Sequence, residues 1–181
     1  MEIRCPSDCG YLTSSREHPA AVVRRQQERD VARLVPTIRH LTERQNQLFF
    51  LFQTAVTRHK PDGFTRLLDD DVADAAGTLA ATFETSTRGV IYEHTAQSPL
   101  AQALITEMNA TVAQIREQGA TVYDQEVAIA LRAMEQGARS TRRPGEGDTV
   151  YLELMARLLQ TLQPPEAGEQ AARPAASLII P

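Results

Sequence analysis

The residues best suited to metal chemistry are two cysteines near the start of the chain, Cys5 and Cys9. Three residues separate them, and thiolates at such a spacing can converge on one zinc ion. A structural zinc site needs four ligands, and the chain has no further cysteine, so histidine must supply the rest. His18 is the nearest histidine, and Cys5, Cys9 and His18 therefore form a candidate zinc site with one position open. A disulfide and two free thiols are the alternative interpretations. The more distant histidines are His40, His59 and His94.

A second group with acid-base potential is Tyr92, Glu93 and His94, which are consecutive in the sequence. Adjacent residues of a helix point about 100° apart, so the carboxylate and the imidazole do not share a face. A solvated helix end is the favoured interpretation of these three residues.

Three consecutive carboxylates occur at Asp69, Asp70 and Asp71. A divalent cation needs about six oxygen ligands, and no EF-hand pattern surrounds the run. Carboxylates in a first turn interact favourably with the positive end of the helix dipole. The run therefore predicts the start of a helix rather than a cation site.

Motifs of the common enzyme classes are missing from the sequence. There is no Glu-x-x-His for a di-iron bundle, no His-Glu-x-x-His, no Gly-x-Ser-x-Gly, no phosphate loop and no dinucleotide fingerprint. Scattered carboxylates on helices are ordinarily solvated. The carboxylates that could act as di-iron ligands if the fold brought them together are Glu84, Glu93, Asp124 and Glu126. The sequence thus favours a non-enzymatic role.

Apolar residues recur every three or four positions, which indicates helices. The first stripe begins at Val31 and continues through Leu34, Ile38, Leu41, Leu48, Phe52 and Ala55. Pro36 interrupts it, which predicts a boundary near Val35 with two helices or one kinked helix. A capping box at Thr42 to Gln45 offers an alternative start, and the loop Lys60-Pro61-Asp62-Gly63 ends the stretch.

Four further stripes follow. The first starts after the aspartate run and comprises Val72, Ala76, Leu79, Phe83 and Val90. The second, capped by Ser98-Pro99 and ended by Gly119, spans about 99–118 and comprises Leu100, Leu104, Met108, Val112 and Ile115. The third starts at Thr121, with Asp124 three residues on, ends near Gly137, packs antiparallel on its predecessor and comprises Val127, Ala130, Leu131 and Met134. The last, capped by Asp148 and stopped by Pro164-Pro165, comprises Tyr151, Leu154, Met155, Leu158 and Leu162.

These stripes predict an all-α fold, an irregular bundle of five to six helices with a disordered C-terminal tail. The predicted division is a Cys-bearing N-terminal segment 1–18, a helical domain 19–163 and a tail 164–181. The tail is rich in Ala, Pro, Gln and Glu, but Leu178-Ile179-Ile180 is apolar. These three residues either dock in a groove, on this chain or another, or have no role.

Charge and hydropathy limit the kinds of partner and the location that we expect for this chain. The net charge of −4 is spread along 181 residues, so nucleic acid is not the expected partner. Solvated surface is the favoured interpretation of the arginines Arg24, Arg25, Arg139, Arg142 and Arg143. No apolar run approaches the roughly 20 residues of a spanning helix, and charges replace the apolar stretch of a signal peptide, which predicts a cytoplasmic location without a membrane partner. The bias towards arginine and the alanine-rich helices resemble proteins of GC-rich bacteria.

The first functional hypothesis is a non-enzymatic protein-interaction or regulatory module that binds another protein or itself through an exposed groove. The first alternative is a zinc-binding protein or sensor that uses Cys5, Cys9 and His18. The second alternative is a bundle that binds an apolar small ligand between its helices.

Overall fold

The computed structural model describes residues 10–61, 65–90 and 92–162, and for residues 10–20 it gives the helix without the side chains. The six helices are α1 Gly10–Ile38, α2 Glu43–Arg58, α3 Asp69–Thr87, α4 Pro99–Glu117, α5 Asp124–Thr141 and α6 Val150–Leu162. No strand occurs in these ranges. The predicted all-α bundle is confirmed. The predicted tail lies outside the described residues, and the domain boundaries stay predictions.

Several helix ends follow the local signals in the sequence. Thr42 caps α2 in a capping box: its N–H donates to Gln45 Oε1 (3.0 Å), and its Oγ1 accepts from the Gln45 N–H (3.4 Å). Ser98 caps α4, whose Pro99 occupies the first helical position. Gly119 follows α4 with a φ of 87°, the left-handed conformation that favours glycine. These predicted ends are confirmed.

Helix α1 differs from its prediction at both ends. It continues to Ile38, beyond the boundary predicted near Val35, because Pro36 lies in the last turn and removes only one helical hydrogen bond. It also begins at Gly10, long before the apolar stripe at Val31. Residues 21–29 have no buried side chain, so apolar periodicity did not reveal this part of the helix.

The core is organised around α5, which packs along α3 in antiparallel orientation. The beginning of α3 lies near the end of α5, since Asp70 faces Arg142 at 4.0 Å, and the end of α3 lies near the beginning of α5, since Ser86 Oγ donates to Asp124 Oδ2 at 2.6 Å. Small buried residues on both helices allow this close approach. They are Ala73, Ala75, Ala76 and Ala80 on α3 and Ala128, Ala130, Ala133 and Ala138 on α5. The prediction that α5 pairs with α4 is wrong: α4 packs on α3 and α2.

Gly137 does not end α5, contrary to the prediction, and the helix continues to Thr141. The glycine instead allows a close approach of α6, because a Cβ at this position would lie 2.9 Å from Tyr151 Cε2 and 3.3 Å from Thr37 Cγ2. Tyr151 is fully buried and its hydroxyl accepts a hydrogen bond from Gln53 Nε2. A side chain at position 137 would therefore collide with a ring that has no room to move.

Three other residues were assigned wrongly. Val90 was assigned to the buried stripe of α3, but α3 ends at Thr87 and Val90 is 54% exposed. Leu162 was assigned to the buried face of α6, but it is 64% exposed. Thr121, with Asp124 three residues on, was predicted to start α5, but Tyr123 is the N-cap residue and Asp124 is the first helical residue.

Candidate functional site

An open apolar groove of about 320 Å³ lies where α1 meets α6, and we call it the α1/α6 groove. Its lining consists of Gln27, Val31, Leu34, Val35, Ile38, Phe50, Leu158, Thr161 and Leu162. The α1 residues follow the three-and-four spacing of a single helix face. Val31 is 49% exposed and Val35 is 43% exposed, so this face is left largely uncovered.

Helix α1 has a covered face and an uncovered apolar face that lie side by side. One face holds its only buried described residues, Asp30, Leu34 and Thr37, and packs on the bundle. The other face carries Val31 and Val35, each one position further along the chain and therefore rotated by about 100° towards solvent. The sequence stripe assigned Leu34 and Ile38 to the core together with Val31, and it did not distinguish the covered face from the uncovered one.

A salt bridge joins α1 to α6 beside the groove. Arg157 Nε and Nη2 donate to the two carboxylate oxygens of Asp30, at 2.8 Å and 3.0 Å, and Gln26 Nε2 donates to Asp30 Oδ1 at 2.9 Å. Asp30 is 3% exposed. The hydrogen bonds from Arg157 hold the pKa of Asp30 below its usual value, and the same contact raises the pKa of Arg157. This two-pronged contact fixes the distance between the walls of the groove.

The start of α6 is held by an aspartate of α3. Asp69 accepts hydrogen bonds from the N–H groups of Tyr151 (2.9 Å) and Leu152 (3.1 Å), and its own N–H donates to the carbonyl of Asp148 (2.8 Å). Burial raises the pKa of this carboxyl. The sequence assigned the capping of α6 to Asp148, which is wrong: the Asp148 carboxylate instead accepts from Arg142 Nη1 at 2.6 Å.

The groove continues along the same seam towards the beginning of α1. An adjoining recess of about 300 Å³ shares Gln27, Leu158 and Thr161 with it and adds Val23, which is 56% exposed. Together the two recesses form one trough that follows α1 and α6. Such a surface can receive an apolar segment, because it offers aliphatic contacts along its floor and amide or hydroxyl groups at its rim.

A second apolar recess, of about 530 Å³, lies between α2 and the connection from α4 to α5. Leu48, Leu51, Ile115 and Val122 provide its apolar lining. It is open to solvent and crossed by the contact of Arg44 with Glu126 at 3.7 Å. The hypothesis of an apolar small ligand applies best to this recess and stays a prediction.

A polar recess of about 610 Å³ lies between the end of α3 and α5. Arg132 Nε and Nη2 donate to both carboxylate oxygens of Glu84, each at 2.8 Å, and Arg132 Nη1 donates to Glu135 Oε2 at 2.7 Å. The hydrogen bonds from Arg132 lower the pKa of Glu84, and those from Glu84 raise the pKa of Arg132. A carboxylate held ionised in this way is poorly suited to give up or accept a proton near neutral pH.

All three ligands of the candidate zinc site, Cys5, Cys9 and the side chain of His18, lie outside the described residues. Within the described ranges, no three His, Cys, Asp or Glu residues are grouped so that they could hold a metal ion. His59 Nδ1 lies 2.7 Å from Glu107 Oε2, which accounts for that histidine as a paired residue.

Tyr92, Glu93 and His94 lie in the extended segment between α3 and α4, not at a helix end. The rings of Tyr92 and His94 contact each other edge to face, with centroids 4.7 Å apart. The His94 N–H donates to Thr82 Oγ1 at 3.1 Å, which ties the segment to α3. Glu93 is exposed, and nothing in these contacts joins it to the imidazole.

Two of the three arginines at the end of α5 and directly after it pair with acidic neighbours. Arg139, in the last turn of α5, contacts Glu135 at 3.0 Å, and Arg142 contacts Asp148 at 2.6 Å. The backbone N–H of Arg143 donates to Glu146, whose carboxylate pairs with Arg33. Arg24, near the other end of the trough, faces Glu28 at 3.9 Å with both side chains well exposed. These arrangements agree with solvated surface rather than with a phosphate-binding patch.

Comparisons with protein-family models, with curated proteins and with solved structures find no match for this chain. Across the described helices, none combines the length and apolar character needed to cross a membrane.

Proposed function

We propose that this protein is a non-enzymatic interaction module whose docking surface is the α1/α6 groove, and that its partner is a second copy of the same chain. The observation that supports this is the uncovered apolar face of α1 and α6, on which Val31, Val35 and Leu162 are 49%, 43% and 64% exposed. Apolar side chains that gather on one face in this way mark interaction surfaces more often than single exposed residues do.

A second copy suits the groove because two identical faces related by a two-fold axis are complementary to each other in composition. Each copy would place the valines of α1 over the trough of the other, while Arg24 and Glu28 at its edge would offer charges of both signs. A dimer that forms through this one surface needs no other kind of protein as a partner.

The dimensions of the face predict a weak dimer. The trough follows α1 from Val23 to Ile38, about 23 Å, and two helices about 10 Å wide each line it, which gives roughly 460 Å² per copy. This falls short of the about 800 Å² per partner of a stable complex. We therefore expect association that depends on protein concentration in the micromolar range or above.

Sedimentation velocity of the full chain over a concentration series tests the proposal. The mass is expected to rise from 20.0 kDa towards twice that value. Val35→Glu places a charge in the groove and is expected to keep the chain monomeric. The matched control is Val90→Glu, because Val90 is also an exposed valine but lies outside the groove. Circular dichroism establishes that both variants fold.

Two results would overturn the proposal. One is a chain that stays monomeric at every concentration. The other is a dimer that Val35→Glu leaves intact, because that dimer would use another surface.

The zinc hypothesis for Cys5, Cys9 and His18 remains the alternative, and metal analysis addresses it separately.

A further inference from the structure

We propose that the apolar segment Leu178-Ile179-Ile180 of the same chain occupies the α1/α6 groove and competes there with the second copy. This inference rests on the proposed function, because it concerns the regulation of the same surface. It joins the uncovered groove to the position of the only strongly apolar residues that follow α6 in the sequence.

The location of the groove favours this occupant. Leu162 is both the last described residue of the chain and part of the groove wall. The chain that follows therefore starts at the groove itself. A segment tethered at the edge of its binding surface has a high effective concentration there, in the millimolar range for short tethers.

The length of the tether is sufficient. Leu178 comes 16 residues after Leu162, and a chain of that length can span at most about 53 Å. The groove extends along α1 from Gln27 to Ile38, which is about 17 Å. Every part of the groove is within reach of the apolar segment.

The composition of the tether identifies which residues would dock. Between Leu162 and Leu178 there is no Leu, Ile, Val, Met or aromatic residue, so the apolar segment stands alone. Val31, Val35 and Leu158 offer it aliphatic contacts. Gln27, which also lines the groove, supplies a side-chain amide for the backbone of the docked segment.

The competition has a measurable consequence for the dimer. A copy can pair only while its groove is empty, and both copies must meet this condition. If the segment fills the groove half of the time, the apparent dissociation constant of the dimer rises about fourfold. Removing the three apolar side chains should therefore strengthen dimerisation.

The test uses the full chain with Leu178, Ile179 and Ile180 all changed to Ser. Sedimentation velocity is expected to show an apparent dissociation constant about fourfold lower than that of the unmodified chain. The matched control changes Ala171, Ala172 and Ala175 to Ser in the same tail and is expected to leave the dissociation constant unchanged.

A second measurement keeps the tail inference separate from the dimer. Methyl NMR spectra of the unmodified chain and of the triple variant are compared at a concentration where both are monomeric. The Val31 and Val35 methyl resonances are expected to differ between the two, and those of Val127 in the core are not.

The outcomes separate the two proposals. Unchanged Val31 and Val35 resonances overturn the tail inference, whether or not the chain dimerises. Changes at Leu48 and Leu51 instead would place the segment in the other apolar recess and would also overturn it. If the Val31 and Val35 resonances differ only at higher concentrations, where the dimer forms, the segment docks on the partner copy. That result contradicts competition within one chain. Changes at Val31 and Val35 in a chain that never dimerises support the tail inference and refute the second copy as partner.

Discussion

Replacing Asp69 with Ala should destabilise the fold more than any neighbouring carboxylate replacement, because Asp69 belongs to α3 but caps α6. Its two oxygens accept the N–H groups of Tyr151 and Leu152, and the residue is 2% exposed. Loss of the carboxylate leaves both donors without their acceptor, the first in a buried site and the second in a partly buried one.

The magnitude follows from these two contacts. Each buried donor left unsatisfied lowers the free energy of unfolding by about 1–3 kcal/mol. The variant no longer has to bury a carboxylate, and this gain offsets part of the loss from the two donors. We expect the free energy of unfolding to fall by about 3 kcal/mol in Asp69→Ala. For a chain of 181 residues, this corresponds to a decrease in Tm of roughly 6–12 °C. Asp69→Asn keeps one acceptor oxygen and should cost about 1–2 kcal/mol.

Urea unfolding followed by circular dichroism measures the change, and Asp70→Ala is the matched control. Asp70 is the next residue in the same first turn, but its side chain is 80% exposed and its nearest arginine is 4.0 Å away. Asp70→Ala should lower the free energy of unfolding by less than about 1 kcal/mol, because an exposed carboxylate at a helix start contributes no more than that.

Hydrogen exchange localises the effect. In Asp69→Ala, but not in Asp70→Ala, the amides of Tyr151 and Leu152 should lose protection before the rest of α6 does. The reasoning is refuted if Asp69→Ala costs no more than Asp70→Ala, or if these two amides keep their protection.

Three further predictions concern other parts of the chain. Asp30→Asn should cost about 1.5–3 kcal/mol at neutral pH. Because Arg157 depresses the Asp30 pKa, the unmodified chain should lose this stability as the pH falls below about 4. Urea titrations at several pH values measure this loss, and Asp30→Asn should not show it. Gly137→Ala should lower the free energy of unfolding by about 1–3 kcal/mol despite the better helix propensity of alanine, since the new Cβ would meet the Tyr151 ring at 2.9 Å; an unchanged urea midpoint would contradict it. The zinc hypothesis predicts one ion per chain that Cys5→Ser loses, and elemental analysis that finds far less metal, unaffected by Cys5→Ser, would exclude it.

Some helix ends were predictable, because the signals that mark them are local. The hydroxyls of Thr42 and Ser98 and the left-handed conformation at Gly119 depend on residues only a few positions away. Gly137 shows the limit of such signals. The same residue type ends a helix at one place and makes room for a ring from another helix at a second place, and the neighbouring sequence does not distinguish these cases.

The candidate groove was only partly predictable. Periodicity placed Leu34 and Ile38 on one stripe with Val31, but it could not show that Leu34 would be covered while Val31 stayed open. Leu162 likewise matched the buried stripe of α6, but it lies on the wall of the open groove and is 64% exposed.

By itself, the sequence determined the helical class, the helix ends marked by Thr42, Ser98 and Gly119, and most of the buried residues of α2 to α6, because propensity, capping and periodicity act over a few residues. Only the tertiary structure decided that α5 pairs with α3, that Asp69 caps α6, and that α1 and α6 leave an apolar trough uncovered. Those outcomes depend on which surfaces, distant in the chain, fit together closely enough to exclude water, and a single helix face does not specify its partner.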